Sequence, residues 1–229
     1  APEPSGPAAI EGEGPFGSLG GEAMVFANGK PAGVDAFVAS GEQTLRLRFA
    51  SDAVGTGHTA SARIAARPGA RLLLLESHEG AGSVYVAHNR LEIDVAAGAE
   101  VTRVVLSDEA EDAIAVTDAV VRLAAGGRYR QTVITSGAKL QRLTTQLAHA
   151  GQGADARLDG LYHLSGARHA DLTSVVDHLD RDGTTSQLTK GVVRDTARGV
   201  FQGKIVVERG ADGTDARMGH HALILSERG

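Results

Sequence analysis

Turns recur along this chain at a nearly constant spacing, and that regularity restricts its fold more than any other feature. Gly69, Gly98, Gly126, Gly153, Gly183 and Gly210 each open a turn, at separations of 29, 28, 27, 30 and 27 residues. The first four continue alike, as Gly69-Ala70-Arg71, Gly98-Ala99-Glu100, Gly126-Gly127-Arg128 and Gly153-Ala154-Asp155. A second set, Gly137-Ala138-Lys139 and Gly166-Ala167-Arg168, lies 29 residues apart and about half a period out of phase. A fixed period of roughly 20–50 residues marks a solenoid, in which each repeat buries its apolar face only against its neighbours.

What lies between the turns identifies the kind of solenoid. Short apolar runs such as Leu45–Phe49, Arg71–Glu76, Leu91–Val95, Val101–Leu106 and Gly199–Val207 fill the repeats. Several alternate with period two. In Arg198–Val207, Phe201, Gly203, Ile205 and Val207 share one face, as on a strand with one side turned inward. Aromatic residues are only 3% of the chain, and its 30 glycines are about twice ordinary usage. Such a core is built from Val, Leu, Ile and Ala, which suits stacked strands. The expectation is an all-β parallel β-helix of five to six coils from Gly69 to Leu225, about 25–30 Å of stack. One or two irregular coils over 24–68 precede it, with residues 1–22 as a flexible tail and 23–229 as the core domain. Leu172, Val176, Phe201, Ile205 and Leu223 are expected to point inward, and Ser107–Asp112 to form one short helical turn.

Composition excludes several functions. There is no cysteine, so disulfides and thiolate metal or cluster ligation within this chain are excluded. The net charge is −5 with no basic run, so no footprint for nucleic acid exists. No stretch approaches 18 uninterrupted apolar residues, and Ala1–Gly21 lacks a signal-peptide pattern, so a cytoplasmic protein off the membrane is expected. The first residue is Ala, which points to a trimmed N-terminus. Phosphate-loop, nucleophile-elbow and His-Glu-x-x-His signatures are missing, so no catalytic residue is nominated. Gly151-Gln152-Gly153 follows no βαβ pattern and reads as a turn. The weak metal candidates are His169, Asp171 and His178; on a strand, His169 and Asp171 share a face. The plainer reading puts them on a polar outer face, with Ala170, Leu172, Ser174 and Val176 inward. His220 and His221 are adjacent and point oppositely on a strand, which disfavours shared ligation.

The segment His169-Ala-Asp-Leu-Thr-Ser-Val-Val-Asp-His178 also carries a resemblance. It is similar to a block of the SufB/SufD proteins of iron–sulfur cluster assembly. Ser186–Val192, Arg198–Ile205, Thr214-Asp215-Ala216 and Leu223–Ser226 resemble later blocks of that family, in the same order, and Gly160-Leu161-Tyr162 an earlier one. The likeness is specific over Tyr129–Ser226 and architectural over Met24–Gly127. The cysteine-free middle and Val175-Val176-Asp177-His178 favour the SufD type. The resemblance implies a right-handed parallel β-helix that is a non-catalytic scaffold, paired with a SufB-like subunit and docked by a SufC-like ATPase. The cluster, and any flavin, would belong to the assembled complex and not to this chain. It further implies a pairing interface at Val200, Gln202, Lys204, Val206, Leu223 and Leu225, and a homodimer in isolation. The family continues beyond the point where Gly229 stands, so a truncated form lacking the ATPase dock is expected. Two other readings are a secreted β-helix polysaccharide-active enzyme and a structural solenoid. The first is disfavoured by the scarcity of aromatics and the second by the asymmetric blocks.

Overall fold

The computed structural model describes residues 2–4, 12–81 and 84–227. Alternating apolar residues between tight turns leave the backbone one economical solution, the extended strand, and the described residues contain no helix. The first strands are β1 (Glu22–Ala27), β2 (Lys30–Pro31), β3 (Ala36–Ala39), β4 (Glu42–Ser51), β5 (Thr56–Ala66) and β6 (Arg71–Gly80). Next come β7 (Tyr85–Val95), β8 (Glu100–Asp108), β9 (Ile114–Leu123), β10 (Arg128–Thr135) and β11 (Leu140–His149). The last are β12 (Asp155–Leu164), β13 (His169–His178), β14 (Thr184–Val193), β15 (Arg198–Val207) and β16 (Asp215–Ile224).

From β3 onward the chain alternates between two sheets, one strand in each per coil. One sheet runs β16-β14-β12-β10-β8-β6-β4-β1-β2, the other β15-β13-β11-β9-β7-β5-β3. Every pairing between strands is parallel except the antiparallel β1–β2 contact, and one isolated antiparallel bridge joins Ala138 to His169. This is the expected parallel β-solenoid, and the two half-period turn sets are its two corners. Five and a half coils follow Gly69, and β1 to β5 supply two more in front.

Register holds without a slip across the stack. Leu72 pairs with Val101, Val101 with Tyr129, Tyr129 with Ala156, and Ala156 with Thr185. Because side chains alternate, such a column points wholly inward or wholly outward. The inward columns bury Leu74, Leu91, Val101, Val121, Leu147 and Val176 between the sheets.

The corners repay a closer look. Gly69, Gly98, Gly126 and Gly153 have φ between 64° and 72°, a region where a Cβ is unfavourable. Their amides form a ladder, each donating to the next coil's turn: Gly69 to Ala97, Gly98 to Ala125, Gly126 to Gln152, Gly153 to Arg181. The next rung comes from Asp182 to Asp212, and the left-handed residue there is Asp182 (φ 58°), not Gly183. Gly183 serves a different need, because a Cβ on it would stand 2.6 Å from His178 Nδ1. At the last corner Gly213 holds the equivalent place, since Asp215 donates to Gly183 as Thr184 does to Ala154.

Two local expectations fail. Strand β8 runs through Ser107 to Asp108, and the residues after it form a turn in place of a helix. Leu223 points outward and is 57% exposed, in register with Val192 on the outer face. The run Ala222–Leu225 is apolar throughout, so it carries no alternation from which to read its phase. Leu172 and Val176 are buried as expected, whereas Phe201 and Ile205 point inward but are half-buried, because only β16 lies beyond them. Among the described residues no helix is long and apolar enough to cross a membrane.

Candidate functional site

Strand geometry separates the three metal candidates. His169 and Asp171 lie on the outer face of β13, while His178, an odd number of residues away, points inward and is fully buried. Asp171 is already satisfied. Arg142 donates to its Oδ2 through Nε (3.1 Å) and Nη2 (2.8 Å), Thr173 Oγ1 donates to Oδ1 (2.8 Å), and Gln202 Nε2 reaches Oδ2 at 3.3 Å. Among the described residues no three His, Cys, Asp or Glu groups are placed to hold a metal ion.

His178 instead stacks on His149, which occupies the same column one coil earlier. Their ring centroids are 4.1 Å apart and the planes differ by 8°. Both Nε2 atoms meet one hydroxyl, Thr185 Oγ1, at 2.9 Å and 3.0 Å. Among the described residues neither buried Nδ1 makes a well-formed hydrogen bond. Burial, and then the neighbouring imidazole, hold His149 down at about 4, against smaller upward pulls from the Ala154 backbone and Asp155. Burial lowers His178 as well, opposed by Asp177.

A second polar group fills the middle of the core. Arg103 donates to Glu76 from Nε and Nη2, both at 2.8 Å, and from Nη1 to Gln131 Oε1 at 2.8 Å. His78 meets the same carboxylate at 2.7 Å and Asn89 at 3.2 Å, while Tyr129 donates to Gln131. Burial pushes the Glu76 carboxyl up, but the Arg103 guanidinium and His78 outweigh it and hold it at about 2. Glu109, close by, is bonded to Tyr85 and is raised by burial. With every charge locked to a partner inside the stack, this network is an internal brace and offers no open face to a substrate.

The exposed feature is the last coil. Among the described residues β15 and β16 are the outermost strands of their sheets, and each has one edge with no strand paired to it. Arg198 and Glu208 donate toward the β13 side, to Arg168 and His178, and Asp215 and Leu225 toward the β14 side, to Gly183 and Val193. Parallel pairing turns alternate residues to opposite sides. The free amides are therefore those of Gly199, Phe201, Gly203, Ile205 and Val207 on β15, and of Ala216, Met218, His220, Ala222 and Ile224 on β16. The sequence-derived interface residues Val200, Gln202, Lys204, Val206, Leu223 and Leu225 lie on or next to these two strands with the other parity. Their amides face inward along the ladder and their side chains cover the outer surface.

Sequence reasoning missed how this coil is filled. The Tyr162 ring leans along the solenoid axis past Gly191 and Gly199, where a Cβ would come within 2.1 Å and 2.3 Å of it. Its hydroxyl meets His220 Nε2 at 2.8 Å, two coils on. His220 also packs against Phe201, with centroids 5.2 Å apart, and Met218 lies over Gly203. Beyond them, Val207, Met218 and Ile224 stay substantially exposed. The signal was present in the sequence as glycines at inward positions of strands, where a glycine marks a close approach.

Comparisons with known proteins agree with this architecture. Residues 49–229 match the model described as "SUF system FeS cluster assembly, SufBD core domain", a longer stretch than the specific likeness noted from Tyr129 onward. An "iron-sulfur cluster assembly SufBD family protein" of Mycobacterium leprae is 28% identical over 156 residues, covering 65% of this chain and 39% of that protein. A protein of the same description from Synechocystis is 28% identical over 137 residues, with coverages of 60% and 30%. A third, from Mycobacterium bovis, is 26% identical over 157 residues. The chain thus spans well under half the length of the curated relatives it matches. With its coils, its corners and its matched stretch all in agreement, this chain belongs to the SufB/SufD core-domain family of the SUF iron–sulfur cluster assembly system.

Proposed function

We propose that this chain is the β-helical core of a SufD-type, non-catalytic scaffold subunit working in the cytoplasm. It joins a SufB-like subunit through its last coil, edge against edge, in an assembly served by a SufC-like ATPase. Nascent cluster and any flavin reside in that assembly. The observation that carries this reading is a parallel β-solenoid laid over residues that match the SufBD core domain. Among the described residues β15 and β16 are the outermost strands of their sheets, with Val207, Met218 and Ile224 exposed on them. Open strand edges with exposed apolar side chains recruit further strands unless they are blocked. The cysteine-free composition supports the SufD type and a scaffold role, since cluster ligation by thiolates would fall to a partner.

In isolation the same edges pair with a second copy about a two-fold axis. Light scattering after gel filtration tests this, alone and with a SufB-like subunit. The expected result is a dimer that exchanges into a heterodimer on mixing. Val207→Pro, which removes a free-edge amide and leaves the internal ladder intact, is expected to weaken both associations at least about tenfold. A strictly monomeric chain that ignores the partner overturns the reading.

A further inference from the structure

The stacked His149–His178 pair has no assigned role, and its construction is unusual. Two imidazoles lie face to face in one inward column of the second sheet, between Leu123 of β9 and Val207 of β15. They share a single hydroxyl, that of Thr185 on β14. Thr185 has one proton to give, so at least one ring must itself donate from Nε2. Nearly parallel rings cannot both aim an in-plane lone pair at one ion, so the pair does not form a chelating site.

Charged groups around the pair do little to compensate a positive charge. Asp155 at the start of β12 acts on His149, and Asp177, on the outer face of β13, acts on His178. In the adjoining turns, Asp182 is engaged by Gln152 and Asp180 by the Arg181 amide. β9 contributes Leu123, β14 Thr185 and β15 Val207, none of which is charged. Among the described residues no carboxylate is hydrogen-bonded to either ring. A proton added to either imidazole stays buried against a like ring at 4.1 Å, beneath β15.

We propose that His149 and His178 form an acid-sensitive latch that keeps β15 and β16 closed onto the stack while both rings are neutral, and releases them when the rings protonate. Lifting β15 and β16 uncovers His178, whose neighbour on that side is Val207, and His149 reaches water once the His178 ring no longer covers it, after which each imidazole titrates as an ordinary histidine. For His149 alone, with a pKa of about 6.5 when open and about 4 when closed, opening at pH 5 becomes about twentyfold more favourable than at pH 7. Gly183 belongs to the device, since a Cβ there would strike His178 Nδ1.

Amide hydrogen exchange on the whole chain at pH 7.5 and pH 5, corrected for intrinsic chemistry, tests this. Protection in β15 and β16 is expected to drop at least about tenfold at pH 5, with β7 to β9 unchanged. The double variant His149→Leu, His178→Val carries aliphatic residues like Leu123 and Val95 of the same column, and it is expected to abolish the drop. An equal drop in that variant, or loss of protection spread evenly over all coils, overturns the proposal. Should the variant fail to fold, histidine ring resonances of the unaltered chain decide. Two rings that stay neutral down to about pH 5 support the latch, and ordinary titration near pH 6.5 in the closed state rules it out.

Discussion

At the scale of single residues, stability rests on a few side chains whose partners are fixed. Arg103 is the sharpest case, since it is the principal counter-charge to a fully buried carboxylate. Arg103→Met is expected to cost about 3–5 kcal/mol in urea unfolding, most of it from stranding Glu76. Adding Glu76→Leu should recover much of that loss. The lowered Glu76 carboxyl contributes stability above its ordinary pKa and surrenders it as pH falls toward about 2. His149 acts in the opposite chemical sense but over a neighbouring window, losing stability as pH drops from about 6.5 toward 4, and burial lowers His178 in the same direction. Phe201 shows how exposure rescales a prediction. A fully packed Phe lost to Ala costs about 3–5 kcal/mol, but at the half-buried end of the stack about 1–2 kcal/mol is expected for Phe201→Ala. Gly191→Ala should cost about 1–3 kcal/mol in the same assay, because the Tyr162 ring fills its space.

Elements show which parts of the fold were legible in the sequence and why. Turn spacing and period-two runs gave away the solenoid, because a glycine needed for φ and an alternation needed for burial both leave marks in the chain. Marks of the same kind misled where two causes shared one residue type. Gly183 kept the turn rhythm but serves His178, while the left-handed turn residue beside it is Asp182. His178 was grouped with His169 and Asp171 by proximity, and parity alone puts it in the core. Buried ion pairs such as Glu76–Arg103 were not legible at all, since each partner reads as an outward polar residue until the register joins them. The same parity makes an element-scale prediction. Val206→Pro removes an amide on the β13 side and should destabilise the chain by about 1–3 kcal/mol. Val207→Pro should leave the unfolding midpoint nearly unchanged and act on pairing alone.

The whole molecule is a stack with a distinctly polar interior at two levels and no cysteine anywhere. Incubated with iron and sulfide and passed through gel filtration, the chain is expected to emerge colourless. A visible absorption band travelling with the protein would contradict the scaffold reading and bring the buried histidines forward as ligands. The constant register across the long strand ladders, with no slip between β4 and β16, has a mechanical corollary. Each added coil advances the stack by about 4.8 Å, so the coil count works as a ruler set at about 35 Å. A ladder bonded along its whole length resists bending. The core is therefore expected to behave as a stiff strut whose length is set by its number of coils.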